Sequence, residues 1–430
     1  MNSSSYPNVL VISHNSFNKN RSNGKTLTSI FNEWNPNHLA QLYFLPETPD
    51  YNICKNYFRI TDYDILKSIF FGKSVKITPL NPDNHPLKES NQENKLFSFF
   101  RGIKWPIISI CRDLVWSSRK WDTLELQNWI NTFSPDVVFF VGSNNKFSYD
   151  LTLNIVKNNN IPLITYFTDD YVTPKFTLNL FWWIHLFVIK KRFLIAKELS
   201  KKIFVIGDRM AEEYSSNYGG NFQPLMNIVE IPDYEFLQKK TNNNYFDIIY
   251  IGNISLNRWK SLHEIGIAIL KLNNEGVKVK FTIYSLETLS TKVKKAIHFP
   301  PSVIFAGPIY DNELLKTILI KADMVVHVES FERKYRHLTR LSVSTKISEY
   351  LSYGKCIFAF GPEDIASIMY LKKNDAALVC TKKKEIYQII RNIITDQEKQ
   401  IKLKINSLLL AKMKHTKPNI KEIIIKVINE

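Results

Sequence analysis

Short runs of β-branched, aromatic and other apolar residues recur along the whole chain, each followed by a longer stretch of mixed polarity. That alternation narrows the fold more than any other feature. In the first half the runs are NVLVIS (8–13), LAQLYFL (39–45), VVFFV (137–141), PLITYF (162–167) and KIFVIG (202–207). In the second half they are FDIIYIG (246–252), VKFTIYS (279–285), SVIFAG (302–307), MVVHV (324–328), CIFAF (356–360) and AALVC (376–380). Strands without a polar face need cover on both sides, as in parallel sheets wound with helices. The spacing therefore predicts two α/β sheets, with ligands collecting outside the carboxyl ends of their strands.

At 430 residues the chain exceeds what one hydrophobic core usually serves. The stretch PDYEFLQKKTNNNY combines a proline, paired lysines and an asparagine run without apolar periodicity, and it reads as a linker. The expected division is an N-terminal domain over 1–232, a linker over 233–245, a second domain over 246–385, and C-terminal helices over 386–430 packing back toward the first domain. With 44% hydrophobic and 23% charged residues, both domains can bury a core.

A net charge of +17 points to an anionic partner without choosing among nucleic acid, an acidic membrane surface and phosphorylated small molecules. No nucleic-acid-binding module is recognisable, so nucleic acid is not expected as a partner. Cysteines 54, 111, 356 and 380 form no CxxC or Cys/His spacing, which suggests neither a zinc site nor a disulfide framework. The N-terminus has no basic and apolar leader pattern, and a cytoplasmic location is expected.

The segment KISEYLSYGKCIFAFGP (346–362) predicts a helix over about 345–353 that ends at Gly354 and leads into a strand. Ser342, Ser344 and Thr345 can cap it. Lys346 puts a cation at the positive end of the helix dipole, an unfavourable placement that a nearby anion reverses. Hydroxyls, backbone N–H groups and a lysine at a helix start suit a phosphate. Glu349, one turn on along the same face, can accept bonds from sugar or ribose hydroxyls. The competing reading is a plain i,i+3 ion pair with no ligand.

The run Glu349-Tyr350-Leu351-Ser352-Tyr353-Gly354-Lys355-Cys356-Ile357 resembles the retaining family 4 glycosyltransferases of bacterial surface polysaccharide synthesis, in which a Glu stands five residues before a Gly that opens an apolar strand. The resemblance implies a GT-B fold, two Rossmann-like doubly wound domains facing a central cleft. It also implies that Glu349 binds the ribose or donor nucleotide, and that Ser344, Thr345 and Lys346 meet the donor diphosphate. YIGNISLNRWKSL (250–262) is similar to the turn that grips the donor phosphates, with Arg258 at the later basic position and Asn253 where the family has an earlier one. Lys260 is a further candidate there, and an ordinary loop-to-helix turn is the alternative.

The opening VLVISHNSFNKNRSNGKTLTSIF is similar to the family's first strand, loop and helix, with Gly24 permitting close backbone approach to a ligand. The string GKT there is no P-loop, because the required earlier glycine is Lys19. YFTDDY (166–171) and IFVIGDRMAEEY (203–214) resemble the acceptor-side loop and the last unit of the first domain. Two departures stand out. The family's first glutamate falls at Leu341, with Glu329 and Glu332 upstream, and Val141, Gly142 and Ser143 occupy a region where a histidine is expected.

Asp169 and Asp170 follow a strand and are candidates for orienting or deprotonating an acceptor hydroxyl, a turn or helix cap being the alternative. Adjacent positions point apart on extended chain, so no metal site is expected. FTLNLFWWIHLFVIKKRF (176–193) is too short an apolar run to span a bilayer and suits either a buried helix or one lying in an anionic membrane surface. LFSFFRGIKWPIISICRDLVW (96–116) is similar in character, interrupted by Pro106. The reading as a whole is a metal-independent, retaining transferase that moves a sugar from a nucleotide diphosphate sugar to a glycan, lipid-linked, acceptor. The alternatives are a catalytically degenerate GT-B subunit and a nucleotide-sugar epimerase.

Overall fold

The computed structural model describes residues 6–18, 22–71, 106–175, 177–232, 244–416 and 420–430. Residues 233–243 of the expected linker, residues 96–105 of the second apolar segment, Phe176 and Lys19 lie outside them. The chain divides into two compact units, the first comprising Met1–Leu225 with Pro418–Glu430 and the second Met226–Lys417.

The first unit carries a seven-stranded sheet of β1 (Val9–Ser13), β2 (Leu39–Tyr43), β3 (Asn56–Arg59), β4 (Val137–Val141), β5 (Leu163–Phe167), β6 (Ser200–Val205) and β7 (Phe222–Pro224). Its order is β3-β2-β1-β4-β5-β6-β7, parallel throughout. The second unit carries β8 (Phe246–Ile251), β9 (Val279–Tyr284), β10 (Val303–Gly307), β11 (Met324–Val328), β12 (Cys356–Phe360) and β13 (Leu378–Cys380) in the order β10-β9-β8-β11-β12-β13, again all parallel. These are the two doubly wound parallel sheets of the GT-B fold.

The second unit shows why its strands read as continuous apolar runs. Ile248 and Tyr250 enter one core cluster with Val326 and Phe358, while Ile249 and Ile251 enter the opposite one with Val325 and Ile357. Successive residues of each strand thus feed the two helical layers in turn. Strand order reverses between β8 and β11, so the open crevice of this sheet lies at the carboxyl ends of those two strands.

Two strands carry no apolar run and escape a sequence reading, β3 and β7. Both are edge strands, where one side of the ladder faces away from the sheet and short polar sequences such as NYFR and FQP suffice. Pro224 costs nothing on such an edge.

Candidate functional site

Helix Thr345–Ser352 connects β11 to β12, so it starts at the carboxyl edge of the sheet and runs back to where β12 begins. Ser344 is its N-cap, accepting from the Lys346 N–H at 3.3 Å. The helix ends because Gly354 takes φ of 56°, and a Cβ there would stand 2.8 Å from Leu408 Cγ. Glycine is required twice over, by conformation and by space.

The helix is pinned at the crevice by Tyr350, whose hydroxyl donates to the Ile251 carbonyl at 3.0 Å and accepts from the Ile251 N–H at 3.2 Å. Ile251 is the last residue of β8, one beyond the final rung of its ladder with β11. A side chain from the helix therefore completes the backbone bonding of the strand at the switch point. Next to the helix, the buried Lys355 ammonium donates to the carbonyls of Ile320 and Ala322, at the end of helix Asn312–Lys321. Burial pushes its pKa down to about 7.

Lys346 Nζ and Glu349 Oε2 form an ion pair of 2.8 Å, with the side chains 27% and 13% exposed. Glu349 thereby supplies the anion that the lysine's placement at a helix N-terminus calls for. The i,i+3 pair of the competing reading therefore exists, at the carboxyl edge of a parallel sheet.

On the β8 side of the crevice, helix Arg258–Asn274 begins with Arg258, whose Nε and Nη2 grip the Glu329 carboxylate, Nη2 to Oε2 at 2.9 Å. Glu329 directly follows β11 and is only 3% exposed. Burial opposes the Arg258 charge, and Glu329 more than restores it, so the guanidinium stays firmly protonated. This grip leaves Nη1 as the nitrogen turned away from Glu329. His327 lies 3.5 Å from Glu329 and bonds Ser367 Oγ at 3.0 Å, and burial, opposed in part by Glu329, pushes its pKa down to about 4.

The loop after β8 is a tight turn in which Leu256 and Asn257 both have positive φ. Asn257 Nδ2 donates to both oxygens of Glu332 at 2.9 Å, and Lys260 pairs with the same carboxylate. Glu287, just past β9, accepts from the N–H groups of Ile254 and Ser255 at 2.8 and 2.7 Å. Asn253 is exposed, and its carbonyl accepts the Tyr250 hydroxyl at 2.6 Å. Asn253, Arg258, Ser344, Thr345, Lys346 and Glu349 therefore all belong to loops or helix starts at one edge of the second unit's sheet.

Gly24, Asp169 and Asp170 belong to the first unit. A Cβ on Gly24 would meet the Ser16 carbonyl oxygen at 2.5 Å, so the close approach that requires glycine is made by the chain's own loop. Asp170 Oδ1 accepts from the N–H groups of Val172 and Thr173 and from the Tyr214 hydroxyl, which makes it a turn former. Asp169 accepts from the Tyr171 hydroxyl at 3.3 Å.

Sequence reasoning missed a polar cluster at the switch between β1 and β4. No histidine follows β4 in sequence, yet two reach its loop from elsewhere. His14, just past β1, lies 2.9 Å from Asn145 Nδ2, and His185 lies 3.1 Å from Asn144 Oδ1. Arg112 bonds both Asn145 Oδ1 and Asp62. With Asn145 Oδ1 facing Arg112, its amide nitrogen faces His14, so His14 Nε2 accepts and Nδ1 carries the proton. Burial and the Arg112 charge push its pKa down to about 3. Only the SHN sequence at the end of the first apolar run hinted at this cluster.

Among the described residues, no group of three or more His, Cys, Asp and Glu is arranged to hold a metal ion. Nor is any described helix long and apolar enough to cross a membrane. The chain matches no family model and no curated protein sequence. Solved structures do match over essentially the whole length. HepE of Anabaena in complex with UDP-glucose aligns at 12% identity and TM-score 0.60, covering 98% of this chain and 99% of that one. The trehalose-6-phosphate synthase OtsA aligns at 10% identity and TM-score 0.62 over 98% and 99%. A glycosyltransferase of Rickettsia africae aligns at 10% and 0.61 over 99% of each. At these identities the likeness establishes the GT-B fold.

Proposed function

We propose that this chain is a glycosyltransferase that takes a sugar from a nucleotide diphosphate donor, with retention and without a metal, and passes it to a glycan acceptor carried on a lipid in surface polysaccharide synthesis. The observation that carries the reading is the Lys346–Glu349 pair at the start of a helix on the crevice edge of a doubly wound sheet. The UDP and UDP-glucose complexes of HepE support the choice of donor class.

In this reading the donor pyrophosphate settles at the N-terminus of helix Thr345–Ser352, against the hydroxyls of Ser344 and Thr345, and takes the Lys346 ammonium from Glu349. Glu349, released, accepts from the ribose or sugar hydroxyls. Arg258, oriented by Glu329, offers Nη1 to the phosphates, and Lys260 and Asn253 flank it. Gly24 keeps its loop close to the helix that follows. Cationic donors aimed at the leaving diphosphate lower the barrier where charge develops, the role a metal plays elsewhere. Retention follows a front-face course: the glycosidic bond to phosphate breaks, the acceptor oxygen bonds the anomeric carbon from the same side, and its proton passes to the departing phosphate. Asp169 and Asp170 are the two carboxylates assigned to orient the acceptor hydroxyl, Asp170 while also holding its turn.

A degenerate GT-B subunit is the second reading, favoured by one observation: Lys346 and Arg258 each already have a carboxylate partner. Hydrolysis of a panel of nucleotide diphosphate sugars in the presence of EDTA separates the readings. Slow metal-independent hydrolysis supports the transferase. Donor binding without turnover supports the degenerate subunit, and an epimerised sugar product the epimerase.

A further inference from the structure

Helix Leu180–Leu199 has two apolar faces. Leu186, Ile189, Phe193 and Ala196 are buried in the first unit, whereas Leu180, Trp183, Ile184 and Phe187 lie outside, at the i, i+3, i+4, i+7 spacing of a single stripe. Phe187 is 70% exposed and Leu178, just before the helix, 93%. Single exposed apolar residues need no explanation, but an aligned set of four that includes a tryptophan does.

The chain around the stripe is basic, with Arg192 paired to Asp150 of the adjoining helix Lys146–Asn159 at 2.7 Å. No aspartate or glutamate occurs from Tyr171 to Lys197. Lys175 stands over the Trp182 ring at 5.0 Å, and Lys191 is exposed one turn beyond Phe187. Trp183 Nε1 donates to the Thr177 carbonyl at 2.9 Å, which satisfies its N–H, and the ring, 42% exposed, meets the Trp182 ring edge-on. Helix Pro106–Trp116 packs beside this helix and adds the exposed Leu114.

We infer that the Leu180–Phe187 stripe docks the protein on an anionic phospholipid surface, apolar side chains in the headgroup layer and lysines at the lipid phosphates. The inference deepens the lipid-linked acceptor of the proposed function and rests on that part of it. Charge complementarity selects this occupant, since two copies meeting through the stripe would bring two basic rims together. One face of the helix is held in the protein core, so it lies along the surface.

The test is flotation of the full chain with phosphatidylcholine vesicles and with vesicles that also contain phosphatidylglycerol, without nucleotide sugar. The expected result is flotation with the anionic vesicles, reduced by salt, lowered about tenfold by Phe187→Glu, lowered also by Lys191→Glu, and unchanged by Leu409→Glu at an exposed site in the second unit. Absence of flotation, equal loss in the Leu409 variant, or a dimer in solution that Phe187→Glu dissociates would overturn the inference. UDP-glucose binding measured on the Phe187 variant tests the donor reading separately, because vesicle binding and donor binding depend on different units.

Discussion

The Tyr350 hydroxyl is bonded to both backbone groups of Ile251, ninety-nine residues away in sequence, and so ties the helix that carries Lys346 and Glu349 to the end of β8. Tyr350→Phe leaves a buried N–H and a buried carbonyl without that partner. The expected loss of stability is about 1–3 kcal/mol. A urea midpoint unchanged from wild type would contradict this use of the hydroxyl.

Arg258 and Glu329 pair two nearly buried charges. Glu329→Gln leaves the guanidinium without its counter-charge, and the expected cost is roughly 3 kcal/mol, the scale for breaking a buried pair. Because the carboxylate also aims Arg258, nucleotide sugar affinity falls in the same variant. Thermal melts and donor titration of Glu329→Gln check the two effects separately.

His14 and His327 are held neutral, at about 3 and about 4, while their unfolded counterparts take up protons near pH 6.5. Between those values these two histidines bind more protons in the unfolded chain, so their contribution to stability rises with pH and is lost as pH falls below about 6.5. Below about 6 it is opposed by the carboxyls of Asp113 and Asp247, which burial pushes up to about 6. Each group contributes a slope of up to about 1.4 kcal/mol per pH unit. Urea melts from pH 7 down to 5 record the slope, and His327→Gln flattens it; a variant with the wild-type slope would show that His327 is not a source.

Gly354→Ala forces a side chain into left-handed backbone and against Leu408. The expected destabilisation is about 1–3 kcal/mol, read as a lower melting temperature. An alanine variant as stable as wild type would mean that the helix end can re-form in another way.

How much of this was legible in the sequence depends on how local each feature is. The central strands could be read because both of their faces are apolar, and β3 and β7 could not because an edge needs little burial. Lys346 and Glu349 announce their pairing by a three-residue spacing. Arg258 and Glu329 are 71 residues apart and meet only because β8 lies beside β11, an adjacency set by strand order. The same holds for His14 and Asn145, which β1 and β4 bring together. The doubled aspartates allow both an acceptor-side role and a turn in sequence, and the hydrogen bonds of Asp170 show that it forms the turn.

The central claim is that the start of helix Thr345–Ser352 holds a donor pyrophosphate while Glu349 holds its hydroxyls. Calorimetric titration of UDP-glucose into wild type, Lys346→Ala and Glu349→Ala, each first shown to melt as wild type does, addresses it most directly. Affinity lowered at least about tenfold in both variants, the scale of one lost charge-assisted hydrogen bond, is the expected result. Wild-type affinity in both would contradict it.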